Sequence, residues 1–128
     1  MITLSAVIGI VKYAGKREDE DMNHVIVEWA PFELSEGVDE SVLLEASAEL
    51  QREFLSHQTG FIRRELLKKD EGQFVDIVWW KSLEDAERAM KNASESASCG
   101  KYFQLMAAAE HIDPGAGVAH FTSLKTYE

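Results

Sequence analysis

Cysteine is nearly absent from this sequence, which contains a single one at position 99. No disulfide can form within the chain, which excludes a disulfide-stabilised scaffold and favours a reducing compartment. Long apolar runs are also missing, because no stretch approaches the roughly 20 residues that a membrane span requires. The apolar opening LSAVIGIV follows no basic segment and precedes no clear small-residue cleavage site. We therefore predict a soluble, cytoplasmic protein that does not bind membranes.

Basic residues are scarce relative to acidic ones. Lysine and arginine number 13 against 23 aspartates and glutamates, for a net charge of -10 and a pI of about 4.8. A surface of this sign repels phosphate backbones. The basic pairs Arg63-Arg64 and Lys68-Lys69 are too short to reverse that balance. We predict that the protein does not bind nucleic acid.

Metal-ligating and phosphate-binding patterns are missing as well. One cysteine cannot form a structural zinc set, and His24, His57 and His111 show no i, i+4 pairing. The sequence contains neither a glycine-rich phosphate loop nor a nucleophile elbow. We predict no metal and no cofactor.

What the sequence does contain is enough apolar material for one core. With 128 residues, of which 45% are hydrophobic, the chain has the size of a single domain. Residues 1–21 differ from the rest, because a β-branched stretch is followed by the charged linker GKREDED. We interpret 1–21 as an N-terminal extension, which could be an added edge strand, an arm to a partner subunit or a flexible segment. Residues 22–128 form the predicted compact domain.

The remaining sequence alternates between strand and helix patterns. HVIVEWAPF (24–32) predicts a strand ended by Pro31, and apolar residues at helical spacing predict a helix over 38–57, with Gly60 as its C-cap. Segments 61–69 and 73–81 flank the turn DEG and predict a β-hairpin. Ser82 and Asp85 resemble a capping box. Helices over 83–93 and 99–109 and a strand over 118–127 follow, after the break DPGAG.

This order predicts an α+β, ferredoxin-like fold, a four-stranded antiparallel sheet with helices on one face. If the hairpin turn spans 69–72, one row of side chains combines Ile62, Arg64 and Leu66 with Val75, Ile77 and Trp79. This row is nearly all apolar and suits the helix-covered face. The opposite row contains Phe61, Arg63, Glu65, Leu67, Phe74, Asp76, Val78 and Trp80.

The opposite row is too hydrophobic to face water, so we predict a homodimer in which two such sheets meet and form an α+β barrel. Glu65 and Asp76 would lie side by side in its centre. They could act as an acid/base pair, or bind a divalent metal together with Glu28. The favoured interpretation is a salt bridge with Arg63 at the interface.

The stretch QFVDIVWWKSLEDAERAM and the Gly60-Phe61 entry to the second strand resemble the antibiotic biosynthesis monooxygenase type of dimeric α+β barrel. The resemblance covers roughly residues 24–127. It implies the fold above and a small-molecule cavity between sheet and helices. The activities it implies include cofactor-independent oxygenation of polycyclic aromatics and haem degradation.

The family's strand-terminal tryptophan falls on Trp80. The polyketide oxygenases use an asparagine four residues earlier, where this chain departs from the pattern with Asp76. The haem-degrading branch uses an asparagine, a tryptophan and a histidine, which fall near Trp29, Ala89 and Cys99. None of these three matches, so the resemblance argues against haem degradation.

Several residues are candidates for a site. His120, Trp80 and Asp76 are the predicted catalytic residues. His120 is a candidate base because an imidazole exchanges protons near neutral pH, while Trp80 and Asp76 stand at positions that the family resemblance implies. The predicted substrate-binding residues are Trp79, Trp29, Tyr102 and Phe103. The row assignment places Trp79 nearer the cavity, whereas the family alignment favours Trp80. Cys99, near a helix N-terminus, could be a reactive thiolate or an inert buried residue.

Two functions remain open. The first is a cofactor-independent monooxygenase or related enzyme that acts on a small aromatic or polyketide-like metabolite in a dry pocket. The second is a non-catalytic ligand-binding or assembly protein. A helix-sheet cavity of roughly 300 Å³ or more that holds His120 or Tyr102 among its aromatic residues would favour the first, and a cavity filled by apolar side chains would favour the second.

Overall fold

Four strands and three helices make up the part of the chain that the structure, a computed structural model, describes: residues 24–107 and 117–128. In chain order they are β1 (Ile26–Glu33), α1 (Glu40–Glu53), a 3-10 turn (Leu55–His57), β2 (Phe61–Asp70), β3 (Gln73–Trp80), α2 (Leu83–Ala93), α3 (Ala97–Gln104) and β4 (Ala119–Thr122). The strands form one antiparallel sheet in the order β2-β3-β1-β4. The predicted ferredoxin-like α+β fold is confirmed.

The helices begin and end where local chemistry allows. Ser82 caps α2, because its Oγ accepts a hydrogen bond of 3.0 Å from the backbone N–H of Asp85. Acidic residues in the first turn of α2 and Lys91 in the last turn complement the helix dipole. Ser96 caps α3 in the same way through the N–H of Cys99. The predicted bounds of α2 are confirmed, whereas α3 begins two residues earlier than predicted.

The hydrophobic core lies between the sheet and the helices. Its buried members from the sheet are Ile26, Phe74, Val78 and Trp80, and those from the helical side are Leu43, Leu50, Phe54, Leu55, Ala86, Ala89, Cys99 and Tyr102. The other sheet face, called here the open face, has no described element packed over it. Burial along β3 alternates strictly, so every second side chain of this strand is buried under the helices.

The predicted hairpin register was wrong for β3. Phe61 opposes Trp80 as predicted, but Arg63 opposes Trp79 and Arg64 opposes Val78. The cause lies at the turn, because Asp70 pairs with Gln73 and an irregularity between Lys68 and Asp70 places one extra residue in β2. This shift by one residue reverses the pairing of the two rows over residues 63–68. A further irregularity between Phe61 and Arg63 returns Phe61 to its predicted partner. Arg64 and Leu66 do face the helices, but Arg64 opposes Val78 and Leu66 opposes Asp76.

The predicted role of Gly60 as the helix C-cap was also wrong. Helix α1 ends at Glu53, the 3-10 turn ends at His57, and Gly60 directly precedes β2. Its φ of 83° lies in the left-handed region, and a β-carbon there would collide with the side chain of Asp85. The Gly60 carbonyl accepts a 2.8 Å hydrogen bond from Lys81 N–H. Glycine is needed here because α2 approaches the backbone closely.

The extension predicted for residues 1–21 lies outside the described residues, so its role and the domain boundary at residue 22 stay predictions. The break at 113–117 lies outside them except for Gly117. Among the described helices, none has both the length and the apolar character that crossing a bilayer requires. The cytoplasmic location stays a prediction.

Candidate functional site

Two groups of polar side chains lie on the helix-covered face of the sheet. The Asp76 cluster comprises Arg64, Asp76 and Tyr102, and the Glu28 cluster comprises Glu28, Trp80 and His120. Strand pairing brings each cluster together: Asp76 opposes Leu66 beside Arg64, while Glu28 of β1 opposes His120 of β4. Polar groups therefore converge among the aromatic residues of the interior.

The Asp76 cluster is a closed hydrogen-bonded network. Arg64 Nε donates to Asp76 Oδ1 at 2.9 Å, and Arg64 Nη2 donates to Tyr102 Oη at 3.0 Å. The Tyr102 hydroxyl donates to Asp76 Oδ2 at 2.5 Å, and Arg64 Nη1 reaches the carbonyl of Ser47 at 3.2 Å. The Arg64 and Asp76 side chains are only 6% and 9% exposed. The network therefore joins β2 and β3 to α1 and α3.

The electrostatics of this cluster fix the protonation states of Arg64 and Tyr102. Burial would lower the pKa of Arg64, but attraction to Asp76 and Tyr102 outweighs it and raises the pKa. Burial, together with the negative charge of Asp76, raises the pKa of Tyr102 well above its ordinary value. The phenol thus stays protonated and donates, while the guanidinium stays charged. Both Asp76 oxygens are occupied.

The Glu28 cluster is more accessible than the Asp76 cluster. Trp80 Nε1 donates to Glu28 Oε1 at 3.1 Å, and His120 Nε2 lies 3.3 Å from the same oxygen. The His120 and Glu28 side chains are 16% and 17% exposed, whereas Trp80 is buried. Because a carboxylate only accepts, we assign the proton of the imidazole to Nε2, which leaves the lone pair on Nδ1. This pairing orients the ring and leaves Nδ1 able to accept a proton.

The two clusters are neighbours on the sheet. Glu28 opposes Val78 and Ala30 opposes Asp76, so the two carboxylate-bearing residues are diagonal partners on adjacent strands. Diagonal partners of this kind lie about 7–8 Å apart. The two clusters therefore form one continuous polar region on the helix-covered face.

The structure resolves the conflict between the two tryptophans. Trp80 faces the helices, and Trp79 lies on the open face, where the Arg63 guanidinium stacks over its ring at 4.1 Å. Trp29 also lies on the open face and is 41% exposed. The prediction that Trp79 lies nearer the helix side was wrong, because it depended on the register that the irregularity in β2 changes.

The predicted pair of Glu65 and Asp76 does not form. Glu65 lies on the open face and accepts a 3.1 Å hydrogen bond from Arg63, whereas Asp76 faces the helices. Phe103 is half-buried beside Tyr102, with ring centroids 6.3 Å apart. Burial raises the pKa of the Cys99 thiol, which favours the inert buried cysteine over the reactive thiolate, the two alternatives that the sequence left open. Within the described residues, no group of three or more His, Cys, Asp or Glu side chains could hold a metal ion.

Sequence reasoning missed Arg64 as a member of the site, and it considered Glu28 only as a metal ligand. A signal for Arg64 was present, because an arginine in a row predicted to face the helices needs a buried anionic partner. Glu28 lies among apolar residues in β1, so its carboxylate would also need a buried partner if it faced the helices. Assigning Arg64 to Asp76 and Glu28 to His120 required the correct strand pairing.

Neither a protein-family model nor a curated relative matches the sequence. The structure is similar to SnoaB, a cofactor-independent oxygenase from Streptomyces nogalater, with a TM-score of 0.60 and 15% identity over 82% of this chain and 96% of that chain. The chain has the antibiotic biosynthesis monooxygenase fold. A Chloroflexus aurantiacus protein provisionally named as such a monooxygenase gives a TM-score of 0.59 at 12% identity, covering 81% of this chain and 97% of that one.

A conserved protein from Methanosarcina mazei is also similar, with a TM-score of 0.55 and 13% identity over 84% of this chain and 99% of that chain. The antibiotic biosynthesis monooxygenase fold therefore spans nearly the whole of each of these proteins. The resemblance noted in the sequence is confirmed at the level of the fold. At these identities the likeness shows the fold alone.

Proposed function

We propose that this protein is a cofactor-independent monooxygenase that acts on a small hydroxylated aromatic or polyketide-like metabolite. The contact between His120 and Glu28 carries this proposal, because it pairs a proton-accepting ring with an orienting carboxylate beside a buried aromatic residue. The fold shared with a cofactor-independent oxygenase supports it.

In this mechanism His120 is the catalytic residue. Its Nδ1 removes a proton from an activated C–H of the substrate, and Glu28 stabilises the imidazolium that results. The substrate carbanion then reduces dioxygen. Oxidation of a methylene to a carbonyl balances as R₂CH₂ + O₂ → R₂C=O + H₂O, so one oxygen atom enters the product and the other leaves as water.

The other predicted site residues take supporting roles in this proposal. Trp80 is a positioning residue, because its indole N–H holds Glu28 in place. Asp76 and Tyr102 are positioning residues too, since both Asp76 oxygens are occupied within their cluster. Phe103 keeps its role as a hydrophobic contact for the substrate. Trp79 and Trp29, on the open face, are reassigned to a subunit interface.

Oxygen consumption with an anthrone or a hydroquinone substrate tests the activity. We expect wild-type turnover to persist after dialysis against a chelator, and His120→Asn to lower kcat by about 10²-fold or more. His57→Asn is the matched control, because His57 is exposed at the end of the 3-10 turn. Full activity in His120→Asn would contradict the assignment. Tight binding without oxygen consumption would favour the ligand-binding alternative.

We also propose that the open face forms a homodimer interface. Its apolar members include the half-buried Ile77 and Trp79 and the exposed Trp29 and Leu67, and apolar patches of this kind mark interfaces. This composition replaces the row predicted from sequence, because Phe74, Val78 and Trp80 are buried under the helices. A second copy would cover the same patch symmetrically.

Sedimentation velocity at micromolar concentration tests the interface. We expect a dimer for the wild type and a monomer for Ile77→Asp, because the new charge would be buried without a partner. Val42→Asp is the control, since Val42 is an exposed aliphatic residue on α1. A wild type that sediments as a monomer would rule out this interface.

A further inference from the structure

We infer that Glu28 makes the site selective for charge, so that it accepts uncharged hydroxylated substrates and rejects analogues that carry a carboxylate. This inference rests on the proposed function, because it concerns the substrate of the same site. It names a property that neither the fold nor the proposed reaction requires.

Among the side chains of the helix-covered face that are not exposed, carboxylates outnumber cations. Two carboxylates face the helices, those of Asp76 and Glu28. Over residues 24–107 and 117–128, Arg64 is the only lysine or arginine that is not exposed. Its guanidinium is committed to Asp76, to Tyr102 and to the carbonyl of Ser47. The Asp76 cluster is therefore electrically balanced and leaves little cationic capacity for a substrate anion.

Among residues 24–107 and 117–128, Glu28 has no permanent cation as a hydrogen-bond partner: its partners there are the neutral indole of Trp80 and the imidazole of His120. For His120 to act as a base it must be unprotonated, and in that state the Glu28 cluster carries a net negative charge. A substrate carboxylate near His120 would then be repelled at short range in a poorly solvated site. A hydroxyl group would instead find an acceptor in the carboxylate.

The two clusters together define the preferred ligand. We expect a flat apolar body to pack against the aromatic side chains of this face, and the Glu28 carboxylate to accept a hydrogen bond from a hydroxyl. Asp76 on the adjacent strand is neutralised by Arg64, which leaves Glu28 as the unbalanced carboxylate. Rejection of carboxylates thus follows from groups already present, without a steric barrier.

A matched ligand pair tests the selectivity. We would measure the Kd of 6-hydroxy-2-naphthamide and of 6-hydroxy-2-naphthoate by calorimetry at pH 8, in 0.15 M and 0.5 M salt. The two ligands have nearly the same shape and differ in charge. We expect the amide to bind the wild type at least tenfold more tightly at both salt concentrations, because a contact at short range is little screened.

Two variants test whether the charge of Glu28 causes the preference for the amide. Glu28→Gln keeps an oxygen that accepts from Trp80, and we expect it to reduce the amide-to-carboxylate ratio to threefold or less. Glu65→Gln removes the same charge from the open face and is expected to leave the ratio unchanged. An unchanged ratio in Glu28→Gln, or a ratio lost equally in Glu65→Gln, would overturn the inference. Binding of neither ligand would overturn it as well.

The outcomes separate the two proposals. Oxygen consumption by the wild type with equal affinity for both ligands would leave the oxygenase in place and refute the charge selectivity. A tenfold preference that depends on Glu28, without oxygen consumption, would support the selectivity and refute the oxygenase.

Discussion

Arg63 and Arg64 are adjacent in sequence, and each forms an ion pair at nearly the same distance. Arg63 lies 3.1 Å from Glu65 on the open face, with side chains 59% and 50% exposed, and Arg64 lies 2.9 Å from Asp76 among side chains only 6% and 9% exposed. The comparison shows that distance alone does not define an ion pair's role. Burial makes the inner pair depend on its partners, whereas water can replace either partner of the outer pair.

The largest expected difference between the two faces comes from removing each arginine. Arg64→Met should lower the free energy of unfolding by about 3–5 kcal/mol, because it leaves the Asp76 carboxylate buried without its cation. In the Ile77→Asp background, where we expect a monomer with the open face in water, Arg63→Met should lower it by less than about 1 kcal/mol. Urea unfolding at one fixed protein concentration measures both.

The double variant Arg64→Met/Asp76→Leu provides a further control. Since neither charge remains, we expect it to regain most of the stability that Arg64→Met loses. Equal losses in Arg63→Met and Arg64→Met would show that the two faces are not energetically distinct.

A smaller difference should appear at alkaline pH. Burial and Asp76 raise the pKa of the Tyr102 phenol, so the folded protein keeps this proton above about pH 10, where the unfolded chain loses it. The free energy of unfolding should therefore fall with rising pH, by up to about 1.4 kcal/mol per pH unit from this group. Tyr102→Phe removes this contribution to the slope.

Urea unfolding between pH 9 and pH 11.5 measures that slope. Tyr127→Phe is the control, because it removes a phenol that is 84% exposed, and we expect it to keep the wild-type slope. The wild type and both variants share all their other titratable groups. If Tyr102→Phe keeps the wild-type slope, the pKa of the Tyr102 phenol is not raised in the folded protein.

Much of the fold could be predicted because its signals are local. The cap at Ser82, the periodicity of α1 and the turn at 70–72 each depend on residues close together in sequence. The site could be predicted only in part. His120, Trp80, Asp76 and Tyr102 were identified as candidates, but their grouping into two clusters was not, since each cluster joins residues from at least two strands.

The sequence by itself determined the order of strands and helices, because helical periodicity, strand alternation and caps are properties of neighbouring residues. Only the tertiary structure decided which side of the sheet each residue of β3 faces. The two rows of a strand differ only by odd or even position, so a shift of one residue at the irregularity between Lys68 and Asp70 exchanges the partners of residues 63–68. That exchange places Trp80 and Asp76 inside and Trp79 outside, and the proposed chemistry depends on it.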